Sequence, residues 1–153
     1  MKFSLGKNFP LKLRRNSFDR LIHKGAVFRV FIPWIAPPKP KRFVVWGVYK
    51  ERGQFALSFI NTEINPNVLP TEELQRLQLL LQSEGRPYLD NDSHLDCADI
   101  KEKKIQWLKR EFGENPRIHL GEMSPEDISK AEEKIIRART IKPKLKKRYG
   151  FIR

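Results

Sequence analysis

The sequence predicts an α+β protein, mainly β, in which several short strands form a compact barrel and helices pack outside it. The first observation behind this fold class is a set of runs rich in β-branched and aromatic residues, "GAVFRVFI", "FVVWGVY" and "QFALSFIN". The second is the polar link "KERG" between the last two runs, whose length is typical of hairpins. The third is a pair of later segments, "TEELQRLQLLLQSEG" and "SPEDISKAEEKIIRARTI", that begin with helix-capping residues and predict an inserted helix and a C-terminal helix.

The first half of the chain is expected to form a basic arm followed by three strands. Residues 1–24 are rich in Lys and Arg and contain one acid, Asp19, with a short helix expected near residues 18–23. The first strand runs over residues 27–32. The segment "IPWIAPPKPKR" after it is predicted as a stiff extended loop, because proline lacks the N–H that regular strand pairing uses. The second and third strands form a hairpin over residues 43–59.

In the second half, a helix is predicted between Thr71, its N-cap, and Gly85, with leucines at helical spacing on one face. The acidic stretch "RPYLDNDSHLDCADI" then returns to extended structure, where "DND" makes a turn and "SHLDCADI" a short strand. The alternation of this strand places Leu95 and Cys97 on one face and three residues on the other: His94, Asp96 and Ala98.

The remaining residues predict an amphipathic piece ending at Gly113, a short strand or turn in "RIHLGEM", and a closing helix. Ser124 caps this helix and Pro125 occupies its first position. The basic residues 142–153 are predicted to be a loose tail. The predicted organisation has three parts: a basic arm (1–24), a barrel domain (25–141) and a basic tail (142–153).

Charge is the strongest indication of function. The chain has 31 Lys and Arg against 18 Asp and Glu, a net charge of +13, which favours an anionic partner. On charge alone, nucleic acid is the favoured class, while a membrane surface or an acidic protein stays open. With a single cysteine the chain cannot form an internal disulfide, and it has neither a signal-peptide core nor an apolar run of about 20 residues. A cytoplasmic, soluble protein with no membrane association is therefore expected.

The acidic stretch is a candidate for a metal or catalytic site, and the residues argue against both. Asp90 and Asp92 imitate the start of an EF-hand loop, but Leu95 stands where that loop needs glycine and Lys101 where it needs glutamate. No zinc-ligand spacing occurs, so no metal and no cofactor are expected. A cysteine nucleophile is disfavoured because alternation separates Cys97 from its neighbouring histidine.

The basic residues near the hairpin are the better candidates. Lys39, Lys41 and Arg42 lie where the proline-rich segment enters the second strand, and Asn61 and Thr62 end the third strand. Pairing of the two strands brings Arg42 and Thr62 to the same rim although they are distant in sequence. A cation and a hydroxyl beside a phosphodiester suit RNA cleavage without metal, in which the 2′-hydroxyl attacks the adjacent phosphorus. A solvated arginine and ordinary turn chemistry are the alternatives.

The order of several motifs resembles the MazF/PemK (CcdB-like) toxins, and more closely their divergent PemK-like branch. These motifs are "GAVFRV", a proline-rich loop with "KPKRFVV", then "SFINTE", "YLDNDSHLDCADI" and "RIHLGEMSPEDI", spanning residues 25–141. The chain has "RF" where the family has "RP", and its 71–84 helix replaces a shorter loop. The resemblance implies an SH3-like barrel that dimerises and a metal-independent endoribonuclease of a toxin–antitoxin pair, held inactive by an antitoxin that would be acidic here.

By position, the family's catalytic Arg and Ser/Thr correspond to Arg42 and Thr62, which would stabilise charge in the transition state and position the phosphate. Six further residues would hold single-stranded RNA: Lys12, Arg14, Arg15, Lys39, Lys41 and Asn61. Two competing hypotheses remain. The first is a non-catalytic SH3-like module that binds nucleic acid or an acidic protein, and the second is an adaptor whose "PPKPKR" segment is a polyproline ligand.

Overall fold

A curled antiparallel sheet dominates the structure, a computed structural model that describes residues 17–64 and 70–153. The seven strands are β1 (Ala26–Ile32), β2 (Lys39–Tyr49), β3 (Gln54–Asn61), β4 (Gln78–Leu81), β5 (Ser93–Asp96), β6 (Lys101–Lys104) and β7 (His119–Glu122). The helices are α1 (Glu72–Arg76), α2 (Ile105–Glu114), α3 (Pro125–Arg137) and α4 (Pro143–Arg148), and residues 17–21 form a further helical segment. The predicted fold class, a mainly β, α+β small barrel, is confirmed.

The strand order is β4-β5-β3-β2-β1-β7, and β6 pairs with β3 beside β5. The β2–β3 hairpin at the centre is confirmed, and its turn is the 3₁₀ segment Lys50–Arg52. Gly53 closes this turn at φ +58°, a left-handed conformation that glycine adopts without steric cost. Over the described residues, no helix is both long and apolar enough to cross a bilayer.

Both faces of the central strands are buried, which explains the uninterrupted apolar run "FVVW" in β2. Phe43 and Val45 point to one side, where they pack with residues of α2 and of the 17–21 segment. Val44 and Trp46 point to the other side, where they pack with residues of α3 and with Tyr149 and Phe151. We call these two sides of the sheet the α2 side and the α3 side.

The prediction of one helix from Thr71 to Gly85 is wrong beyond its first turns. Thr71 is the N-cap as expected, since its hydroxyl accepts a hydrogen bond of 3.2 Å from the Leu74 N–H. The helix ends at Arg76, and residues 78–81 instead form β4, paired with β5. Strand pairing together with burial of Leu81 outweighs the helical propensity of the leucines, which is a weak preference.

The proline-rich segment was predicted as a stiff extended loop without regular strand pairing, and part of it is paired. Pairing between β1 and β2 continues to Ile32 and Lys39, with Pro40 directly opposite Phe31. Proline is tolerated because the β2–β3 ladder begins only at Arg42, so β2 has a paired neighbour on one side at this point. The turn between the strands is therefore confined to residues 33–38.

Residues 142–153, predicted as a loose tail, are part of the core. Tyr149 and Phe151 are each 6% exposed, and the Phe151 ring meets that of Trp46 edge-on at 5.5 Å between centroids. The buried Lys146 ammonium donates hydrogen bonds of 2.8 and 2.7 Å to the carbonyls of Ile136 and Ala138, at the end of α3. The basic residues that surround Tyr149 and Phe151 in "RYGFIR" make this segment look like an exposed tail.

Several smaller predictions hold. The hydroxyl of Ser124 caps α3 by accepting from the Asp127 N–H at 3.1 Å, and Pro125 is its first residue. β7 corresponds to the predicted strand in "RIHLGEM", and the 17–21 segment to the expected helix near residues 18–23. The sequence interpretation missed β6, which occupies residues 101–104 where only an amphipathic piece was expected.

We expect Phe151→Ala to lower the free energy of unfolding by about 3–5 kcal/mol, because it leaves a cavity against Trp46. Urea denaturation followed by tryptophan fluorescence measures this change. Lys147→Ala, a change at an exposed neighbour, is the control and should have little effect. Equal stability of the two variants would contradict burial of this segment.

Candidate nucleic-acid interface

The predicted site residues that fall within the described part of the chain lie at one end of the β2–β3 hairpin, the end opposite its turn. Arg42 pairs with Ile60, Asn61 is the last residue of β3, and Thr62 follows it as an exposed residue. β5 joins on the other side of β3, where Asn61 pairs with His94. The hairpin geometry expected from the sequence thus brings Arg42 and Thr62 to the same end of the sheet. The remaining candidates Lys12, Arg14 and Arg15 lie outside the described residues.

Strand alternation divides these residues between the two sides of the sheet, whereas a single cluster was predicted. Lys41 and Asn61 lie on the α2 side, where the Lys41 ammonium contacts the Asn61 side-chain oxygen. Arg42, the next residue of β2, lies on the α3 side and contacts the backbone of Tyr88. The expected cluster is therefore split into two groups of residues, one on each side of the sheet, at the same strand end.

On the α2 side, Lys41 lies in a concentration of positive charge. Its ammonium lies 4.7 Å from the centroid of the Phe59 ring, a cation–π contact. Burial, followed by repulsion from Lys39 and Lys101, lowers the pKa of Lys41, while Asp96 opposes this change. An anion placed beside Lys41 would therefore relieve an electrostatic cost.

β6 extends this positively charged surface. Lys101 and Lys103 pair with Leu57 and Phe55, whose side chains are on the α2 side, whereas Glu102 points to the opposite side. We call Lys39, Lys41, Lys101 and Lys103 the lysine face. Lys101 also pairs with the Asp99 carboxylate at 3.0 Å. The alternation of lysine and glutamate in "KEKK" indicates this face only if the segment is a strand, and β6 was not predicted.

Aromatic rings accompany these lysines. The Lys103 ammonium lies 4.2 Å from the centroid of the Trp34 ring, which meets Trp107 edge-on at 4.9 Å. The Trp34 indole N–H is buried and has no hydrogen-bond partner among the described residues. Trp34 and Phe59 were not among the predicted site residues, because their side in the fold cannot be read from the sequence.

On the α3 side, two acceptors orient the Arg42 guanidinium. Its Nε donates a 2.9 Å hydrogen bond to the Tyr88 carbonyl, and its Nη2 lies 2.8 Å from the Asp90 carboxylate. The Arg42 side chain is 21% exposed, whereas that of Asp90 is 80% exposed. Because solvent screens such a pair, the contact with Asp90 holds Arg42 weakly, and the Tyr88 carbonyl is the firmer anchor.

The acidic stretch acts as a structural segment in the fold. Arg86 forms a two-pronged ion pair with Asp127, with N–O distances of 2.8 and 2.9 Å, and this pair holds the stretch against α3. Asp92 accepts from the Ser83 N–H at 2.8 Å, and Asp96 accepts from the Gln78 amide at the same distance. Within residues 17–64 and 70–153, no three His, Cys, Asp or Glu side chains are placed to share a metal ion.

Cys97 lies among apolar residues of the α3 side and is fully buried, whereas His94 points to the other side of β5. Burial raises the pKa of the Cys97 thiol to about 12. The thiol therefore stays protonated at neutral pH, and the residue packs as a small apolar side chain.

We expect Asp127→Asn to lower the free energy of unfolding by about 2 kcal/mol at pH 7, because it leaves Arg86 without its carboxylate partner. The hydrogen bonds from Arg86 hold the pKa of Asp127 below its usual value. The ionised Asp127 carboxylate therefore contributes its full stability above about pH 4, and this contribution is lost as the pH falls through the lowered pKa of Asp127.

Urea denaturation of the wild type and the variant between pH 3 and 7 measures both effects, with Glu126→Gln, a change at the exposed neighbouring acid, as control. The difference between wild type and Asp127→Asn should shrink toward pH 3. A difference that is independent of pH, or a Glu126→Gln variant that loses as much stability, would contradict this assignment.

Two comparisons with known proteins give no family for this chain. A scan against protein-family models matches none of them, and a search of curated proteins finds no similar sequence. The resemblance to the MazF/PemK toxins therefore stays a prediction that rests on the motifs themselves. What the structure adds is the placement of the candidate residues at one strand end and on two sides of the sheet.

Proposed function

We propose that the protein binds single-stranded RNA through the lysine face. The observation that carries this proposal is the Lys41 ammonium, held between Asn61 and the Phe59 ring, with its pKa lowered by burial and by neighbouring lysines. A phosphate beside Lys41 neutralises this charge and restores its pKa. The net charge of +13 provides the long-range attraction that brings a polyanion to this surface.

The side chains around Lys41 favour a single strand over a duplex. Phe59 and Trp34 are partly exposed rings that lie beside cations, and unpaired bases stack on such rings. When Lys41 moves to a phosphate, the Asn61 amide becomes available to a base edge or to a 2′-hydroxyl. The choice of RNA over DNA rests on the MazF/PemK resemblance.

A second function, cleavage of that RNA without metal, is favoured by the position of Arg42. Its guanidinium is oriented by the Tyr88 carbonyl, and its other partner, Asp90, is exposed enough to be displaced by a phosphate. The 2′-hydroxyl would attack the adjacent phosphorus and expel the 5′-oxygen, which leaves a 2′,3′-cyclic phosphate and a 5′-hydroxyl. Arg42 would stabilise the charge on the phosphorane oxygens, and Thr62 would position the phosphate.

The partners that follow from this second function are an acidic antitoxin and a second copy of the chain. An antitoxin would inhibit by covering the cations at the strand end with carboxylates, in competition with RNA. Dimerisation is implied by the family resemblance alone.

We expect Lys41→Gln to weaken binding of a labelled single-stranded RNA and to reduce the slope of log Kd against log salt concentration by about 0.7, since one phosphate contact is lost. Fluorescence anisotropy across a salt series measures both quantities. Arg52→Gln removes a cation from the opposite end of the hairpin and is the matched control. An equal effect of the two changes would show that the attraction is spread over the whole surface.

A pH series tests the same contact independently. In the wild type, affinity should fall once the pH passes the lowered pKa of Lys41, whereas Lys41→Arg should remain charged and keep its affinity at high pH. Identical pH profiles for wild type and Lys41→Arg would remove Lys41 from the interface.

For the second function, we expect cleavage of long single-stranded RNA in EDTA to be lost in Arg42→Ala and in Thr62→Ala. Thr62→Ser keeps the hydroxyl and should keep activity, while Arg42→Lys loses the planar fork and should be impaired. Single-turnover gel assays and detection of the cyclic phosphate measure the reaction. RNA binding without cleavage by the wild type at any protein concentration would reject the enzyme and retain the binding protein.

A further inference from the structure

An apolar residue is exposed at the same strand end, on the α3 side. Phe31 is 53% exposed although it lies inside β1, between the buried residues Val30 and Ile32. Its cross-strand partner is Pro40, which is also exposed. A phenylalanine ring and a proline ring therefore present an open apolar surface on the side of the sheet that carries Arg42.

Two arginines lie next to this surface. Arg29 and Arg42 are directly opposite each other in the β1–β2 register, so their side chains leave the sheet on the same side. Like charges in this arrangement destabilise a sheet. Arg42 has Asp90 as a partner, but no acidic side chain within residues 17–64 and 70–153 pairs with Arg29. A contribution to folding stability therefore does not explain why Arg29 and Arg42 lie opposite each other.

We infer that Arg29, Phe31 and Arg42 form a nucleotide subsite that takes one base and its phosphate from a single-stranded RNA, an inference that rests on the proposed RNA binding. Phe31 is two residues from Arg29 on the same face of β1, roughly 7 Å along the strand. A base stacks on the Phe31 ring, and the adjoining phosphate accepts from the two guanidinium groups. Arg can hold a phosphate with two parallel hydrogen bonds, which gives the contact direction as well as charge.

The chemistry of this surface fits a nucleotide better than a carboxylate-bearing peptide. A planar ring beside two planar guanidinium groups matches a ligand that has both a flat face and a phosphate. The location supports the same occupant, because Arg42 of this subsite directly follows Lys41 of the lysine face in β2, and Asn61 and Thr62 directly follow Ile60, the cross-strand partner of Arg42. One RNA strand can contact the lysine face, pass the open end of the β2–β3 hairpin and reach Phe31 on the other side of the sheet.

The test compares binding of a labelled uridine 12-mer with binding of the same backbone lacking bases, measured by anisotropy. Phe31→Ala should weaken binding of the 12-mer by roughly tenfold and leave the abasic backbone unaffected. Arg29→Gln should weaken both and reduce the salt slope by about 0.7. The matched controls are Ile136→Ala, at another exposed apolar residue, and Arg52→Gln. Circular dichroism confirms that each variant is folded.

The outcomes separate this subsite from the general proposal. If Lys41→Gln weakens binding while Phe31→Ala and Arg29→Gln behave as their controls, the subsite is wrong and RNA binding stands. If the wild type binds neither nucleic acid probe, the proposed function fails and the subsite fails with it. Polyglutamate of matched charge is the remaining probe, and its binding by the wild type, with a loss in Phe31→Ala as large as for RNA, would assign the surface to an acidic protein and overturn the inference.

Discussion

Burial of both faces of the β2–β3 hairpin is the constraint on which the rest of the structure depends. Phe43 and Val45 pack with α2, while Val44 and Trp46 pack with α3 and residues 142–153. Since neither face of the central strands is free, a surface for a ligand is left where both cores stop, at the strand end. Alternation then sends consecutive basic residues of β2 to opposite sides of the sheet.

The acidic stretch shows how a segment of opposite charge supports a basic site. The Arg86–Asp127 pair fixes the stretch on α3, and this places the Tyr88 carbonyl where it orients Arg42. The carboxylate of Asp90 neutralises part of that arginine while it stays largely in water. Such an arrangement keeps a guanidinium in one orientation and leaves its charge available to a stronger anion.

Local sequence patterns were sufficient to predict those elements whose residues prefer, by themselves, the conformation that they adopt in the fold. The hairpin and the cap of α3 were predictable because "KERG" and "SPED" determine turns and helix starts within a few residues. β4 was not, because the leucines of 78–81 favour helix and only pairing with β5, distant in sequence, makes them a strand. The placement of Arg42 and Thr62 at one end of the hairpin followed from pairing rules. The lysine face required β6, which lacks the apolar residues typical of strands.

The contact between Trp46 and Phe151 has a consequence for the order in which the protein folds during synthesis. The hairpin that carries Trp46 leaves the ribosome long before residue 151 does, so the α3 side of the sheet meets water until residues 142–153 follow. The α2 side is complete once residue 118 has emerged, because its buried residues all precede that point. Synthesis therefore builds this small sheet from one side first, and the nascent chain carries an uncovered apolar surface for the time needed to add the final helices.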